Sequence, residues 1–187
     1  MGGTDTLSSI DAFTTSSGGN AVDYGNLIEA RGEAAAGCTH TRGVIAGGTG
    51  PITDIIEYVV MSSQGGANDF GNLSSTRRSF SGSGNNIRGI FFGGNNPSRT
   101  SIIEFINFSS TGDSIDFGDL SYGRAVKDVG CSSATRALFG GGSTIDNTIQ
   151  SLNIQSLGNT ENFGDLSTGR YETECASSST RGIWGGG

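Results

Sequence analysis

Four arginines at almost constant spacing are the residues of this sequence whose type and position could do chemistry. They are Arg31, Arg77, Arg124 and Arg170, which lie 46, 47 and 46 residues apart. A guanidinium is a permanent planar cation that binds carboxylates and phosphates through paired donors. The four side chains could form an anion or glycan site where the repeats converge, or each could bond carboxylates and carbonyls inside the protein. We favour the internal role, because residues that recur in every repeat serve the structure that the repeats share.

Motifs that belong to enzymes elsewhere occur here as parts of the same repeat. Asp116-Phe117-Gly118 has the wording of the magnesium-binding motif of protein kinases, but it recurs in similar form without the other kinase motifs. The run from Gly140 to Thr144 lacks the lysine and the following helix of a phosphate-binding loop. The single histidine, His40, excludes a metal centre of several imidazoles, and we expect it in an exposed turn. We therefore predict no catalytic residues, no cofactor and no enzyme activity.

The acidic residues give the same answer. Asp11, Glu57 and Glu104 occupy equivalent positions in three repeats. A glycosidase needs two carboxyl groups that face each other across a bond, and positions spread over separate repeats argue against such a pair. A cation held by turn carboxylates such as Asp113 stays open, although the sequence carries no set of ligands from which to predict a metal site.

Composition limits the partners and the compartment. The net charge is -7 and the sequence pI is about 4.5, which argues against nucleic acid because phosphate binding needs a basic surface. No apolar run has the length of a membrane span, and the start lacks the basic and apolar segments of a signal peptide. Three cysteines, Cys38, Cys131 and Cys175, are too few and too far apart for a disulfide framework. We expect them to be small buried thiols of core strands.

A repeat of roughly 46 residues organises the whole chain. Its first signature is an acidic or amide residue, an aromatic residue, Gly, Asp or Asn, and Leu. The copies are Asp23–Leu27, Asp69–Leu73, Asp116–Leu120 and Asn162–Leu166. The second signature is an Arg, an apolar run and a glycine pair. The copies are Arg42–Gly48, Arg88–Gly94, Arg136–Gly141 and Arg181–Gly186. We predict one domain over residues 1–187, with repeats at approximately 2–46, 47–92, 93–139 and 140–187.

Each repeat is predicted to form four short β-strands, which we letter a to d. The a strand consists of small residues, as in Ala34–Cys38 and Val129–Ser132. Such residues suit the innermost strands of a β-propeller, where several backbones approach a narrow axis. The b strand ends in the glycine pair, the c strand carries the acidic residue, and the d strand carries the aromatic signature. No window has a helical period, so the predicted class is all-β.

This order of elements resembles the kelch repeat of galactose-oxidase-like propellers. In that family an inner strand, a strand ending in Gly-Gly, a strand with an acidic-aromatic pair and an outer aromatic-Leu strand follow one another. The present repeats have Phe or Tyr, as at Phe70 and Tyr24, where kelch repeats favour Trp. The copper ligands of galactose oxidase find no counterpart, so its activity is not implied. The signature is also similar to repeat arrays in structural and tail-associated proteins of bacteriophages, including cyanophages, which implies a location in a virion.

The phase of the repeat predicts how the ring closes. The chain begins with c and d strands, continues through three complete units and ends with a and b strands. The terminal a–b pair can join the initial c–d pair in one composite blade, which removes an exposed sheet edge. This gives a closed four-bladed monomer, which we favour. In the alternative, two chains share an eight-bladed ring.

Where the repeats differ, the chain is free to specify a partner. The b–c and d–a loops are predicted to share one face of the ring, where Lys127 and Arg78 also fall. The candidate binding residues there are Asn95, Asn96, Arg99, Tyr122 and Tyr171, together with the four spaced arginines. Exposed Tyr beside Asn and Arg suits recognition of a glycan or a protein. We predict a non-catalytic binding or structural module. The alternative is an architectural or engineered fragment of a longer array with no ligand.

Overall fold

The regular structure of the described residues is entirely β-sheet. The computed structural model describes residues 6–125, 130–142 and 145–187. Gly2, Gly3, Lys127, Ser143 and Thr144, which carried parts of the sequence interpretation, lie outside these ranges. The described residues form 16 strands and no helix, and every paired strand is antiparallel to its neighbour. The all-β prediction is confirmed.

The strands are short and follow one another through turns, as alternating apolar residues punctuated by glycine dictate. In chain order they are β1 (Leu7–Ala12), β2 (Val22–Arg31), β3 (Ala35–Cys38), β4 (Arg42–Ala46), β5 (Ile55–Val60), β6 (Asn68–Asn72), β7 (Ser81–Gly84), β8 (Arg88–Phe92), β9 (Thr100–Asn107), β10 (Ile115–Arg124), β11 (Gly130–Ser132), β12 (Arg136–Gly140), β13 (Asp146–Asn153), β14 (Glu161–Arg170), β15 (Glu174–Ser177) and β16 (Gly182–Gly185).

The sheets follow the repeat. Three complete sheets contain the strands in chain order, β3–β6, β7–β10 and β11–β14. Two two-stranded sheets flank them, β1–β2 at the start and β15–β16 at the end. We call these the N-terminal and C-terminal half-sheets. The predicted composite blade is not among these five sheets, since no ladder between the described strands joins β16 to β1.

The small-residue strands converge, as their composition predicted. Ser132 of β11 contacts its neighbours on both sides: its hydroxyl donates to the Gly84 carbonyl at 2.6 Å, and its amide donates to the Ser177 hydroxyl at 3.2 Å. A Cβ placed on Gly82 would lie 2.1 Å from the carbonyl oxygen of Ala36. Only residues without a large side chain permit this approach of backbones.

The core lies between successive sheets. One buried cluster includes Phe70 and Leu73, from the second copy of the aromatic signature, together with Phe91 and Phe108 of the following sheet. Its counterpart between the next two sheets is built around Phe117 and Leu120. The members of that counterpart are Ile90, Phe92, Ile103, Phe105, Phe117, Leu120, Ala137, Phe139, Leu152 and Ile154. Each buried aromatic contributes about 1.5–3 kcal/mol through its apolar surface. The signature thus fills the interface between sheets.

The signature glycine has a specific reason. Gly71 and Gly118 have φ near +140°, and a Cβ on either would lie 2.4 Å from the carbonyl oxygen of a glycine in the next c–d turn. Gly164 has the same backbone, with φ of +147°, but nothing lies within 4 Å of its Cβ position. Its aromatic neighbour Phe163 is 50% exposed, whereas Phe117 is 2% exposed. The outer face of the third complete sheet therefore lacks the covering that the other sheets receive.

The structure corrects the position of two glycine pairs. The first glycine with positive φ after each b strand is Gly47, Gly93, Gly141 or Gly186. The sequence runs Arg136–Gly141 and Arg181–Gly186 gave Gly140 and Gly185 as the first glycine of the pair. The structure places that glycine one residue later in both repeats. Gly140 and Gly185 instead end strands β12 and β16. Gly140 is small because the indole of Trp184 would lie 3.2 Å from a Cβ there.

Candidate functional site

The four spaced arginines have one bond in common. In each repeat a terminal guanidinium nitrogen donates to the carbonyl of the first glycine after the following b strand. The distances are 3.1 Å for Arg31 to Gly47, 3.1 Å for Arg77 to Gly93, 2.6 Å for Arg124 to Gly141 and 2.6 Å for Arg170 to Gly186. Each d strand is thereby fixed to the b strand of the sheet that follows.

Two of these arginines also form buried ion pairs with that next sheet. Arg31 pairs with Glu57, and Arg77 pairs with Glu104; all four side chains are at most 1% exposed. The other oxygen of each carboxylate accepts a backbone amide from the preceding sheet, from Ile28 of β2 at 2.7 Å and from Ser74, just after β6, at 2.9 Å. We call each such unit an arginine bridge. Burial lowers the pKa of Arg77 to about 10, so it remains a cation at neutral pH.

The third arginine bridge has a different acid. Gln150 occupies the position of Glu57 and Glu104 and accepts the Ser121 amide at 3.0 Å. An amide cannot neutralise a guanidinium, and Arg124 turns instead to Asp146, 2.7 Å away. The Tyr122 hydroxyl donates to Asp146 and accepts from Arg124.

Two pKa values reflect this arrangement. Burial raises the pKa of Tyr122, and its hydrogen bond to Asp146 adds to the effect. Partial burial opposes ionisation of Asp146, but hydrogen bonds from Tyr122 and Thr148 together with the charge of Arg124 lower its pKa. The cluster is therefore most stable with Asp146 ionised and Tyr122 neutral.

The fourth arginine is the exception. Arg170 is partly exposed, and its recorded partner is the Gly186 carbonyl. Among the residues that the structure describes, no ion pair is recorded for Arg170. Arg31, Arg77 and Arg124, by contrast, are buried with internal partners. Of the four candidate arginines, Arg170 is thus the one that the structure leaves accessible.

The b–c and d–a loops lie together, as predicted. Gly32 pairs with Thr49 and Arg78 pairs with Asn95, each joining the end of a d strand to the next b–c loop. In the third complete sheet, Tyr171 pairs with Gly142. We give the name loop face to the surface formed by the described residues of the loops after β4, β8 and β12 and of the segments after β2, β6, β10 and β14.

The candidate residues of the loop face divide into two groups. Asn95 and Tyr122 have internal contacts: the backbone of Asn95 bridges Arg78 and Arg99, and Tyr122, although 43% exposed, belongs to the third arginine bridge. Asn96, Arg99 and Tyr171 are exposed, although Asn96 also donates to the Thr76 hydroxyl at 2.7 Å. Asn96 and Arg99 share the loop after β8, whereas Tyr171 follows β14.

Sequence reasoning missed a recurring strained position on the same face. Glu33, Ser79 and Glu172 follow their spaced arginine by two residues and have φ of 50° to 52°. Glu33 also accepts from the Ser79 hydroxyl and from Arg78, at 3.3 Å for the latter. Neither Glu nor Ser favours the left-handed region, so only the alignment of the repeats could have drawn attention to this turn.

A cleft lies away from the loop face, between the third complete sheet and the C-terminal half-sheet. Its volume is about 300 Å³, and Arg136, Phe163, Thr180 and Arg181 are among its lining residues. Arg136 lies over the Phe163 ring, with 5.6 Å to the ring centre. The equivalent Arg42 and Arg88 each donate to a carbonyl of the next c–d turn, at 2.7 and 2.8 Å.

The remaining candidates take ordinary places. His40 is exposed in the turn between β3 and β4, as predicted. Asp113, considered for a cation, accepts the Asn72 amide of the preceding repeat at 2.9 Å. Of the cysteines, Cys131 is buried, Cys175 is half-buried and Cys38 is exposed, so the expectation of three buried thiols is confirmed only for Cys131. Within the described ranges, no cluster of three or more His, Cys, Asp or Glu is placed to hold a metal ion.

Comparison with known proteins adds no family. No family model matches the sequence, and no curated protein matches it. Across the described part of the chain, no helix is long and apolar enough to cross a membrane.

Proposed function

We propose that this chain is a non-catalytic recognition module, built as a four-bladed propeller of kelch-like repeats. The N-terminal and C-terminal half-sheets form its fourth blade, and the loop face binds a glycan or a protein. The resemblance to phage repeat arrays favours a role in a virion or its tail. The observation that carries the proposal is the loop face itself, where the exposed residues are those in which the repeats disagree.

The first support for closure comes from a backbone bond that recurs between repeats. The amide of a glycine in each c–d turn donates to the carbonyl of the preceding signature aromatic: Gly65 to Tyr24 at 2.9 Å, Gly112 to Phe70 at 2.7 Å and Gly158 to Phe117 at 2.8 Å. The same positions at the two ends of the array are Gly19 and Phe163. Gly71 and Gly118 each have a turn carbonyl oxygen 2.4 Å from their Cβ position, whereas nothing lies within 4 Å of that position at Gly164, so the last signature has room for the turn that carries Gly19.

The second support comes from the arginines. Arg170 stands where Arg31 and Arg77 stand, and the residue equivalent to Glu57 and Glu104 is Asp11. A ring closed at this point pairs Arg170 with Asp11. Arg136 likewise stands where Arg42 and Arg88 stand, and in the closed ring it reaches a carbonyl of the turn that follows β1. The ends of the array thus carry complementary halves of contacts seen elsewhere in the protein.

The register of the fourth blade follows from the other three. Ile45 pairs with Glu57, Phe91 with Glu104 and Phe139 with Gln150. The same register sets Trp184 of β16 opposite Asp11 of β1 and Ile183 opposite Ala12. Ile183 is 62% exposed in the structure, and pairing of the half-sheets brings the N-terminal half-sheet beside it.

Hydrogen exchange combined with light scattering tests the closure. In a closed monomer of 19.1 kDa, the amides of β1 and β16 exchange as slowly as those of the interior strands β5 and β8. Slow exchange at twice that mass identifies the shared eight-bladed ring. Fast exchange of β1 and β16 beside a protected β8 contradicts closure in either form.

The recognition role is tested separately, with a glycan array and adsorption to bacterial cells. We expect the wild-type protein to bind, and we expect Arg99→Ala and Tyr171→Ala to weaken binding at least tenfold, about 1.4 kcal/mol. His40→Ala, on the opposite edge of the sheets, is the matched control and binds as wild type. A folded wild-type protein that binds no glycan and no cell surface refutes the recognition role.

The second candidate function is a purely architectural one. The observation that favours it is the pair of incomplete ends, because edges that fit each other also fit a neighbouring repeat in a longer array or a second copy. Light scattering over a range of concentrations separates the two cases. Mass that grows with concentration, together with unchanged behaviour of Arg99→Ala and Tyr171→Ala, supports the architectural role.

A further inference from the structure

The small-residue strands enclose a cavity that holds every sulfhydryl of the protein. Strands β3, β7, β11 and β15 line a space of about 260 Å³, and Cys38, Cys131 and Cys175 are among its walls. Most other lining residues are Gly, Ala and Ser, so few other groups there can react. The three thiols take no part in the loop face or in the arginine bridges.

Two of the three thiols are neighbours. Cys131 lies on β11 and Cys175 on β15, and these strands are joined beside them by the Ser132 amide and the Ser177 hydroxyl, at 3.2 Å. The Ser177 hydroxyl in turn donates to the Ser132 carbonyl at 2.9 Å. Hydrogen bonding to the Cys175 side chain lowers the pKa of Cys131. No disulfide joins the two cysteines in the structure.

The repeat explains why the contact is specific. Cys175 pairs with Trp184 in the register that places Gly82 opposite Phe91 and Gly130 opposite Phe139. At those two glycines a Cβ would meet the preceding a strand, since Gly82 has the Ala36 backbone at 2.1 Å and Gly130 has the Ser81 hydroxyl at 3.3 Å, with the Phe92 ring of the adjoining b strand at 2.5 Å. A side chain at this position therefore points at the preceding inner strand. In the last repeat that side chain is Cys175, and the preceding strand is β11, which carries Cys131.

We propose that Cys131 and Cys175 form a redox-active dithiol, which a low-molecular-weight disulfide such as oxidised glutathione converts to a disulfide between the third complete sheet and the C-terminal half-sheet. The Cys131 thiolate attacks one sulfur of the glutathione disulfide, whose sulfur–sulfur bond breaks and releases one glutathione thiolate. The Cys175 thiolate then attacks the Cys131 sulfur and displaces the second glutathione. The two protein thiols are oxidised, the glutathione disulfide is reduced, and the two thiol protons end on the released glutathiones.

The environment selects Cys131 as the attacking thiol. Hydrogen bonding to Cys175 lowers the pKa of Cys131, against the opposing effect of burial. A lower pKa increases the fraction of thiolate at neutral pH, and the thiolate is the nucleophile in disulfide exchange. The resulting disulfide constrains the unfolded chain between residues 131 and 175, so oxidation stabilises the attachment of the C-terminal half-sheet.

The test uses Cys38→Ser, which removes the third thiol and leaves the pair intact. After treatment with oxidised glutathione, we expect intact mass spectrometry to show the loss of two hydrogen atoms, and peptide mapping to show Cys131 linked to Cys175. The melting temperature rises on oxidation and returns when dithiothreitol is added. The rate of oxidation increases with pH through the range in which Cys131 ionises.

A matched variant distinguishes the pair from two independent thiols. In Cys38→Ser combined with Cys175→Ser, the attack by Cys131 stops at a stable glutathione adduct, and circular dichroism checks that the fold is retained. The proposal is overturned by a Cys38→Ser protein that stays reduced or carries glutathione on both cysteines. A wild-type protein in which Cys38 takes part in the cross-link overturns it as well.

Discussion

Replacement of one buried carboxylate should show how much the arginine bridges stabilise the fold. Glu104→Gln keeps the shape of the side chain and the bond from the Ser74 amide, but it removes the charge that faces Arg77. Both partners are 1% exposed, so the guanidinium cannot recover its hydration. Removal of one partner from a buried ion pair typically costs about 3–5 kcal/mol. We expect a loss near the lower end, about 3 kcal/mol, because Arg77 keeps its bond to the Gly93 carbonyl.

The third repeat supplies the matched rescue. There Gln150 occupies the same position, and Arg124 pairs instead with Asp146. The residue equivalent to Asp146 in the second complete sheet is Thr100, since Asp146 pairs with Arg170 and Thr100 pairs with Arg124 in the same register. Thr100→Asp in the Glu104→Gln background should therefore recover more than half of the lost stability, whereas Thr100→Asp alone should recover nothing.

Urea denaturation followed by circular dichroism measures these free energies of unfolding. The slope with urea must stay constant among the variants, because a changed slope indicates a changed unfolded or native state. A loss below about 0.5 kcal/mol for Glu104→Gln, the level of an exposed ion pair, refutes the reasoning. So does a Thr100→Asp substitution that changes stability equally in both backgrounds.

Two further predictions follow from the geometry. Gly71→Ala should lower the free energy of unfolding by about 3 kcal/mol or more, because its methyl group meets the Gly112 carbonyl. Gly164→Ala should lower it as much in the proposed closed ring and clearly less if the edge is open. Chemical denaturation of both variants measures the difference. Because the pKa of Asp146 is lower in the folded protein than in the unfolded chain, its ionisation stabilises the fold. This stabilisation is fully present above the unfolded-state pKa of about 4 and is lost as the pH falls through the folded-state pKa. Asp146→Asn should remove this part of the acid dependence of the melting temperature, and an unchanged acid limb would contradict the assignment.

The features that recur in the sequence were predictable, because repetition supplies its own comparison. The all-β class, the small residues of the converging a strands and the burial of Phe70 and Phe117 between sheets follow from residue size and alternation. The internal role of Arg31, Arg77 and Arg124 also agrees with the interpretation that we favoured. In each case one physical requirement, close backbone approach or a buried cation, leaves a small choice of residues.

The features that could not be predicted depend on contacts between repeats. The sequence shows that Gln150 stands where the preceding repeats have a glutamate. It does not show that Arg124 pairs with Asp146, because that contact depends on the register between β13 and β14. The positive φ of Glu33 has no signal in its residue type. The contact between Cys131 and Cys175 required knowledge of which inner strands are adjacent, because the two residues are not at the same repeat position.

The arginine bridges also rank the interfaces of the proposed ring. Arg31 and Arg77 have a fully buried glutamate, whereas Arg124 pairs with a more exposed aspartate, so the third interface is held by a pair that water screens more effectively. The fourth interface offers Arg170 only Asp11, whose side chain is one methylene shorter than glutamate and lies on a two-stranded half-sheet. Local opening begins at the weakest contacts, so this fourth interface opens before the other three. A disulfide between Cys131 and Cys175 strengthens the attachment of β15 and β16 from the side of the third sheet. It leaves the junction of β16 with β1 as the place where the ring can open.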